Sequence, residues 1–182
     1  MHILGIPGSL RKQSYNAGLI RAASRLLPEG VTFETFTLEG IPPFNQDLDG
    51  TPPTSVIALK SKVRAADAIL ISTPEFNYSV PGVLKNAIDW ASRPYGDSAW
   101  EEKPLAIMGA SPGMLGTARA QYHLRQMCVF LNMYPLNRPE VIVPNARSHF
   151  DAEGNLTDQH SLDKVRQLVS ALVEWTRRLG RK

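Results

Sequence analysis

An open α/β fold, one parallel sheet covered by helices on both faces, is predicted from three observations on this chain. Five apolar, β-rich runs recur along its 182 residues, and a helical pattern follows each of them. The turns after the first, third and fourth runs are rich in glycine, proline and hydroxyl side chains. Alternating strands and helices require right-handed crossovers, hence parallel strands, and such a sheet presents its ligand site at the carboxyl ends of the strands.

The elements read in order as follows. The apolar opening, residues 2–7, is a buried strand, and the helical spacing over 16–27 follows a polar turn. A second strand is expected over 31–37. The proline-bearing passages 41–44 and 51–54 read as loops before a helix over 56–65. A third strand over 68–73 leads through a loop to a helix over 83–91, a fourth over 105–110 leads to a helix over 117–132, and a fifth over 140–144 precedes a last helix over 161–179. Five strands favour the flavodoxin-like order 2-1-3-4-5 over a six-stranded dinucleotide fold. No linker, repeat or low-complexity tract interrupts residues 1–182, so a single domain is expected.

Composition narrows the function. The net charge of +3 is modest and partly resides in Arg177, Arg178, Arg181 and Lys182, where cations complement a helix C-terminus, so no nucleic-acid partner is expected. Cys128 is the single cysteine; with no basic and apolar leader at residue 1 and no run of membrane-span length, a cytoplasmic protein without a membrane partner is expected. His2, His123, His149 and His160 are scattered and lack metal-ligand spacing, so no metal is expected, and no Gly-x-Ser-x-Gly hydrolase signature occurs.

The turn after the first strand is the most informative segment. Ser9, Arg11, Ser14, Tyr15 and Asn16 place two hydroxyls, a guanidinium and an amide at a strand-to-helix junction, where unpaired amides and the helix dipole already favour an anion. It has neither the Gly-x-Gly-x-x-Gly spacing of a dinucleotide loop nor the Gly-Lys-Ser/Thr ending of a triphosphate loop, and hydroxyls in place of glycines suit a terminal monophosphate. A helix cap at Ser14 and an ordinary turn at Ser9 would use the same serines; Arg11 beside them favours the anion.

Two further loops belong to the same face. Pro74, Glu75, Phe76, Asn77 and Tyr78, continuing to Ser79 and Pro81, mix a rigid frame with hydrogen-bonding groups and aromatics suited to a flat heterocycle; a surface loop whose prolines stop a strand and start a helix reads equally well in isolation. Gly109, Gly113 and Gly116, with Ser111 and Pro112 between, allow close backbone approach to a planar ligand, or else serve the turn and a cap at Thr117.

With these three loops in view, the chain resembles the NADPH-dependent FMN reductases, which include quinone, chromate and azo-dye reductases of flavodoxin-like fold. Gly8-Ser9-Leu10-Arg11 with Ser14 and Asn16 is similar to that family's FMN-phosphate loop. Pro74 to Ser79, with Pro81 to Trp90, is similar to its flavin-ring loop and following helix, and Gly109 to Gly116 to its third flavin loop. The resemblance spans about residues 1–145; Phe76 stands where tyrosine is common, and Thr117 where a second glycine often follows Gly116.

The resemblance implies bound FMN, with Ser9, Arg11, Ser14 and Asn16 on the phosphate, Pro74 to Tyr78 along the ring, and Ser111 and Gly113 at its other edge. It implies hydride transfer from NADPH or NADH, two-electron reduction of a small acceptor such as a quinone, an azo compound or chromate, no protein catalytic acid or nucleophile, and a homodimer or homotetramer. Because there is no second nucleotide fingerprint, donor and acceptor are expected to share one opening in ping-pong fashion. Arg119 and Tyr122 share a helix face that could meet Glu140 of another subunit. Ordinary packing is expected of Trp90. A flavodoxin-type electron carrier is the competing reading, against which the net positive charge argues, and a phosphate-binding regulatory domain is a third.

Overall fold

The computed structural model describes residues 1–180; Arg181 and Lys182, two cations of the expected basic tail, lie outside the described residues. Among the described residues six parallel strands and five α-helices follow in the order β1 His2–Pro7, α1 Tyr15–Arg25, β2 Thr32–Thr35, α2 Thr54–Ala65, β3 Ala68–Ser72, α3 Gly82–Ala91, β4 Pro104–Ala110, α4 Ala118–Phe130, β5 Tyr134–Pro135, β6 Val141–Val143 and α5 Gln159–Leu179, alternating except where β6 succeeds β5 directly. The sheet runs β2-β1-β3-β4-β5, and β6 also pairs with β4.

Every residue of β3 and β4 is buried, as a central parallel strand with both faces covered must be. The two-residue period divides them between two cores. Ile69, Ile71, Leu105 and Ile107 face the layer of α2, α3 and α4, while Leu70, Ala106, Met108 and Ala110 face α1 and α5. Gly18 admits a third party to the second layer: a Cβ there would lie 2.2 Å from the carbonyl oxygen of Gly154, so the segment after β6 closes directly on α1.

The expected order 2-1-3-4-5 is present, with one difference at the edge. β6 fills the fifth strand expected over 140–144 and pairs with Met108, Gly109 and Ala110 of β4, and a further two-residue strand that was not expected, β5, precedes it and pairs with Pro104 and Leu105. Pro135 and Pro139 carry no amide hydrogen, so this edge cannot run as one ladder. Trp90 is packed as expected. Its indole nitrogen and the Asn86 amide both donate to the Pro42 carbonyl, at 2.8 and 2.9 Å, tying the preceding loop to α3.

Among the described residues no helix is long and apolar enough to cross a membrane, and no three His, Cys, Asp or Glu side chains gather as metal ligands.

Candidate cofactor site

The turn after β1 departs from the middle of the sheet, where the Gly8 amide donates to the Ser72 carbonyl at 2.8 Å. Ser14 is extended and caps α1, its Oγ accepting from the Ala17 amide at 3.3 Å. Capping uses a lone pair, so the hydroxyl hydrogen of this 2 % exposed side chain is left to donate outward. The cap and anion readings of Ser14 are therefore compatible. Nearby, Ser9 Oγ accepts from the Arg11 amide at 3.3 Å, and the exposed Arg11 guanidinium lies 4.9 Å from the centroid of the Tyr15 ring.

Asn16 is placed differently from the expectation of a phosphate-binding amide. Its Nδ2 donates to the Ala110 carbonyl at 2.9 Å, and its Oδ1 accepts from the Ala110 amide and from Ser72 Oγ, each at 3.0 Å. The side-chain amide is thus a strut between α1 and the ends of β3 and β4.

The loop after β3 turns back through Phe76, Asn77, Tyr78 and Ser79. Phe76 and Ser79 exchange two backbone hydrogen bonds at 2.9 and 3.0 Å, and Asn77 and Tyr78 both have positive φ, 52° and 63°. This is the geometry of a tight turn in which asparagine is at ease and tyrosine is strained. Glu75, with 8 % of its side chain exposed, accepts from Arg119 Nε at 2.9 Å and from the Ala120 amide at 3.1 Å, capping α4 from another loop. The Arg119 guanidinium in turn lies 3.5 Å from the Tyr78 ring centroid. Tyr122 donates to Glu140 at 3.4 Å within the same chain, so the partner envisaged on another subunit is supplied locally.

The third loop is laced to the exit of β6. Ser111 donates its amide to Val143 and accepts at its carbonyl from Ala146, both at 3.1 Å, and the Asn145 amide donates to the Gly113 carbonyl at 3.2 Å. Two of its three glycines serve this packing. A Cβ on Gly109 would fall 2.0 Å from Thr117 Oγ1, and Gly116 takes a φ of +55° against Ile142; only at Gly113 is the space open, the nearest atom being Ser111 Oγ at 3.6 Å. Thr117 makes no side-chain cap on α4; its hydroxyl accepts from Gln121.

Between the three loops lies a cavity of about 340 Å³, a size suited to a small organic ligand. Of the residues singled out from sequence, Ser9, Arg11, Ser14, Tyr15, Asn16, Pro74, Glu75, Phe76 and Ser111 line it, whereas Asn77, Tyr78 and Gly113 do not. Ala110 and Pro112, within the expected third loop, also line it, and so does Arg147, which was not foreseen. Arg147 belongs to the loop after β6, a fourth loop on the same face that the expected pattern left out. The cavity is polar and cationic toward α1 and aromatic toward Phe76, which is 57 % exposed.

A family model described as NADPH-dependent FMN reductase matches residues 1–148. The chain belongs to this family. It is 51 % identical over 179 residues to an NAD(P)H-dependent FMN reductase of Pseudomonas aeruginosa, covering 97 % of this chain and 96 % of the relative. Identity to a 2-hydroxy-1,4-benzoquinone reductase of a Burkholderia species is 41 % over 177 residues, with 97 % of each covered. The solved structure of FerB, a flavoenzyme NAD(P)H:acceptor oxidoreductase from Paracoccus denitrificans, superposes with a TM-score of 0.88 at 36 % identity and 97 % coverage of both chains. Membership makes the chain an oxidoreductase that depends on FMN and NAD(P)H. The cavity fits that cofactor: a buried capping hydroxyl, the Arg11 guanidinium and a helix N-terminus lie at one end, and Pro74 and the aromatic Phe76 line another part of its wall.

Proposed function

We propose that this protein is a quinone-type reductase that holds FMN in the cavity between its switch-face loops and serves NAD(P)H and a small acceptor in turn. The observation carrying this reading is the polarity of the cavity. Buried Ser14 with Arg11 and the first turn of α1 suits a phosphate monoester, and Pro74, Phe76 and Ser111 suit the edges of a planar ring.

Ser9, Arg11 and Ser14, with the first amides of α1, hold the phosphate, while Asn16 fixes the position of that turn relative to β3 and β4. Glu75 and Arg119 hold the Phe76–Ser79 turn beside the cavity. Bound FMN supplies acceptance of a hydride from reduced nicotinamide and delivery of two electrons, as in converting a quinone and two protons to a hydroquinone. No side chain is required as nucleophile. One opening serves both substrates, so ping-pong kinetics follow; quinones are the preferred acceptor class, with azo compounds and chromate as further candidates for the same opening.

A homodimer or homotetramer in the cytoplasm completes the reading, supported by the exposed apolar side chains Tyr95, Val129 and Phe130 and by the buried, unpaired Cys128. The test is spectroscopic. Anaerobic protein reconstituted with FMN should lose its flavin absorbance within seconds of one equivalent of NADPH and regain it on adding a quinone, with parallel double-reciprocal lines. Persistent bands would instead favour a flavodoxin-type electron carrier.

A further inference from the structure

Arg147 is a cation with a fixed base and a free head. Its neighbour Ala146 is fully buried and donates to Ser111, Asn145 donates to Gly113, and Ser148 Oγ donates to the Asn145 carbonyl at 3.0 Å, so the Ala146–Ser148 turn is fastened to the loop after β4. The Arg147 side chain, by contrast, is exposed on the cavity wall and has no hydrogen-bond or ion-pair partner among the described residues.

The chain beyond it shows which end of the cavity it serves. Phe150 packs on Tyr15 with ring centroids 4.9 Å apart, Gln13 Nε2 donates to the Ala152 carbonyl at 3.5 Å, and Gly154 meets Gly18 of α1. The segment therefore runs beside the turn that carries Arg11 and Ser14 and the first turns of α1. Two guanidinium groups lining one small cavity repel each other unless an anion lies between them, and a phosphate monoester carries close to two negative charges at neutral pH. Arg11 balances one of these.

We propose that Arg147 is the second cation of the cofactor-phosphate site and that it makes the protein select phosphorylated flavin over riboflavin. This rests on the reading of the cavity as an FMN site. Donation from Arg147 to a phosphate oxygen would be charge-assisted, bringing a second strand end, that of β6, to bear on a ligand otherwise held from β1. Riboflavin, which lacks the phosphate, gains nothing from it.

The experiment titrates apoprotein with FMN and with riboflavin by flavin fluorescence, for wild type, Arg147→Gln and Arg147→Lys. Because it loses a charge-assisted hydrogen bond to the phosphate, Arg147→Gln should weaken FMN about tenfold or more. Riboflavin affinity should change less than about twofold, and inorganic phosphate should compete with FMN less effectively in the variant. Arg147→Lys, keeping the charge without the planar fork, should fall between the two. Equal weakening of both flavins would overturn the inference, placing Arg147 on the ring. So would an unchanged FMN affinity with a raised KM for NADPH and not NADH, which would assign Arg147 to the donor's phosphate. If wild type binds neither flavin, the FMN reading itself falls; if wild type prefers FMN and Arg147→Gln keeps that preference, only the role of Arg147 falls.

Discussion

The side-chain amide of Asn16 pairs with both main-chain groups of Ala110, donating to its carbonyl at 2.9 Å and accepting from its amide at 3.0 Å. Asn16 thereby acts as one extra strand residue at the end of β4, supplied by the first turn of α1. Both partners are buried, so the sheet end, the helix start and the turn between them move as one piece. A site whose phosphate end hangs on that turn inherits its rigidity.

Removing this amide should therefore be costly to the fold. Asn16→Ala leaves the amide and carbonyl of Ala110 unpaired in a buried place, and stability should fall by about 3 kcal/mol, at about 1–3 kcal/mol per orphaned group. Asn16→Asp sets a carboxylate against the Ala110 carbonyl, which raises the folded-state pKa of the new acid. Its destabilisation should be greatest at neutral pH and ease as the pH falls through that raised value. Denaturant melts of the apoprotein at pH 5 and pH 8 check both; an Asn16→Asp variant equally stable at both would refute the geometry.

The Glu75 carboxylate joins the loop after β3 to the first turn of α4, through Arg119, 44 residues away in sequence. Glu75→Gln removes the charge that holds Arg119 and sets an amide against the Ala120 amide, so stability should drop by about 2 kcal/mol. Freed from Glu75, Arg119 would no longer brace Tyr78 in its left-handed conformation, and the turn carrying Phe76 should loosen. The expected kinetic result is a higher KM for quinone with little change in FMN affinity, measured by steady-state assay alongside flavin titration. Unaltered stability and KM would remove Glu75 from this role.

The glycines after β4 divide into tight and open positions, which a pair of alanine variants separates. Gly109→Ala drives a methyl into Thr117 Oγ1 and the Thr73 carbonyl, at 2.0 and 2.4 Å, and should cost about 3 kcal/mol through forced backbone movement. Gly113→Ala meets nothing closer than 3.6 Å and should change stability by less than about 0.5 kcal/mol. Thermal melts of the two variants decide the matter, and equal losses would mean that the loop is not held as described.

Much of this arrangement was legible from the chain, for physical reasons that also mark where legibility stops. β3 and β4 are continuous apolar runs because both faces are covered, and α1 follows a polar turn with a capping serine; such local signals suffice to order the sheet. β5 is two residues long and has no periodicity to read. At the site, residue type identified Asn16, Glu75 and Gly109, but their partners lie far along the chain, Ala110 being 94 residues from Asn16. An amide that could bind phosphate and an amide that braces a strand look identical in sequence. Arg147 was missed because the ligand-bearing turns were sought only after the first, third and fourth strands, whereas Arg147 follows the strand expected over 140–144.

Away from the cavity, Asp97 joins α2 to the segment before β4 and makes stability depend on acidity. It accepts from Lys60 Nζ at 2.8 Å and from Arg64 at 2.5 Å, and the Lys60 side chain, only 8 % exposed, also donates to the Arg93 carbonyl. The bond from Lys60, followed by that from Arg64, holds the Asp97 carboxyl below its ordinary value of 3.8. A carboxylate with a lowered folded-state pKa contributes stability that is fully present above the unfolded value and is lost as the pH falls through the folded one. Asp97→Asn should consequently be less stable than wild type at pH 7, by an amount tempered because half of the Asp97 side chain faces solvent. The difference should shrink on acidification below 3.8 and fade in molar salt far less for the buried Lys60 than for the exposed Arg64. Melting the two proteins in parallel between pH 3 and pH 7 tests this directly: a gap that stays constant over that range would mean that Asp97 contributes by packing and not by charge.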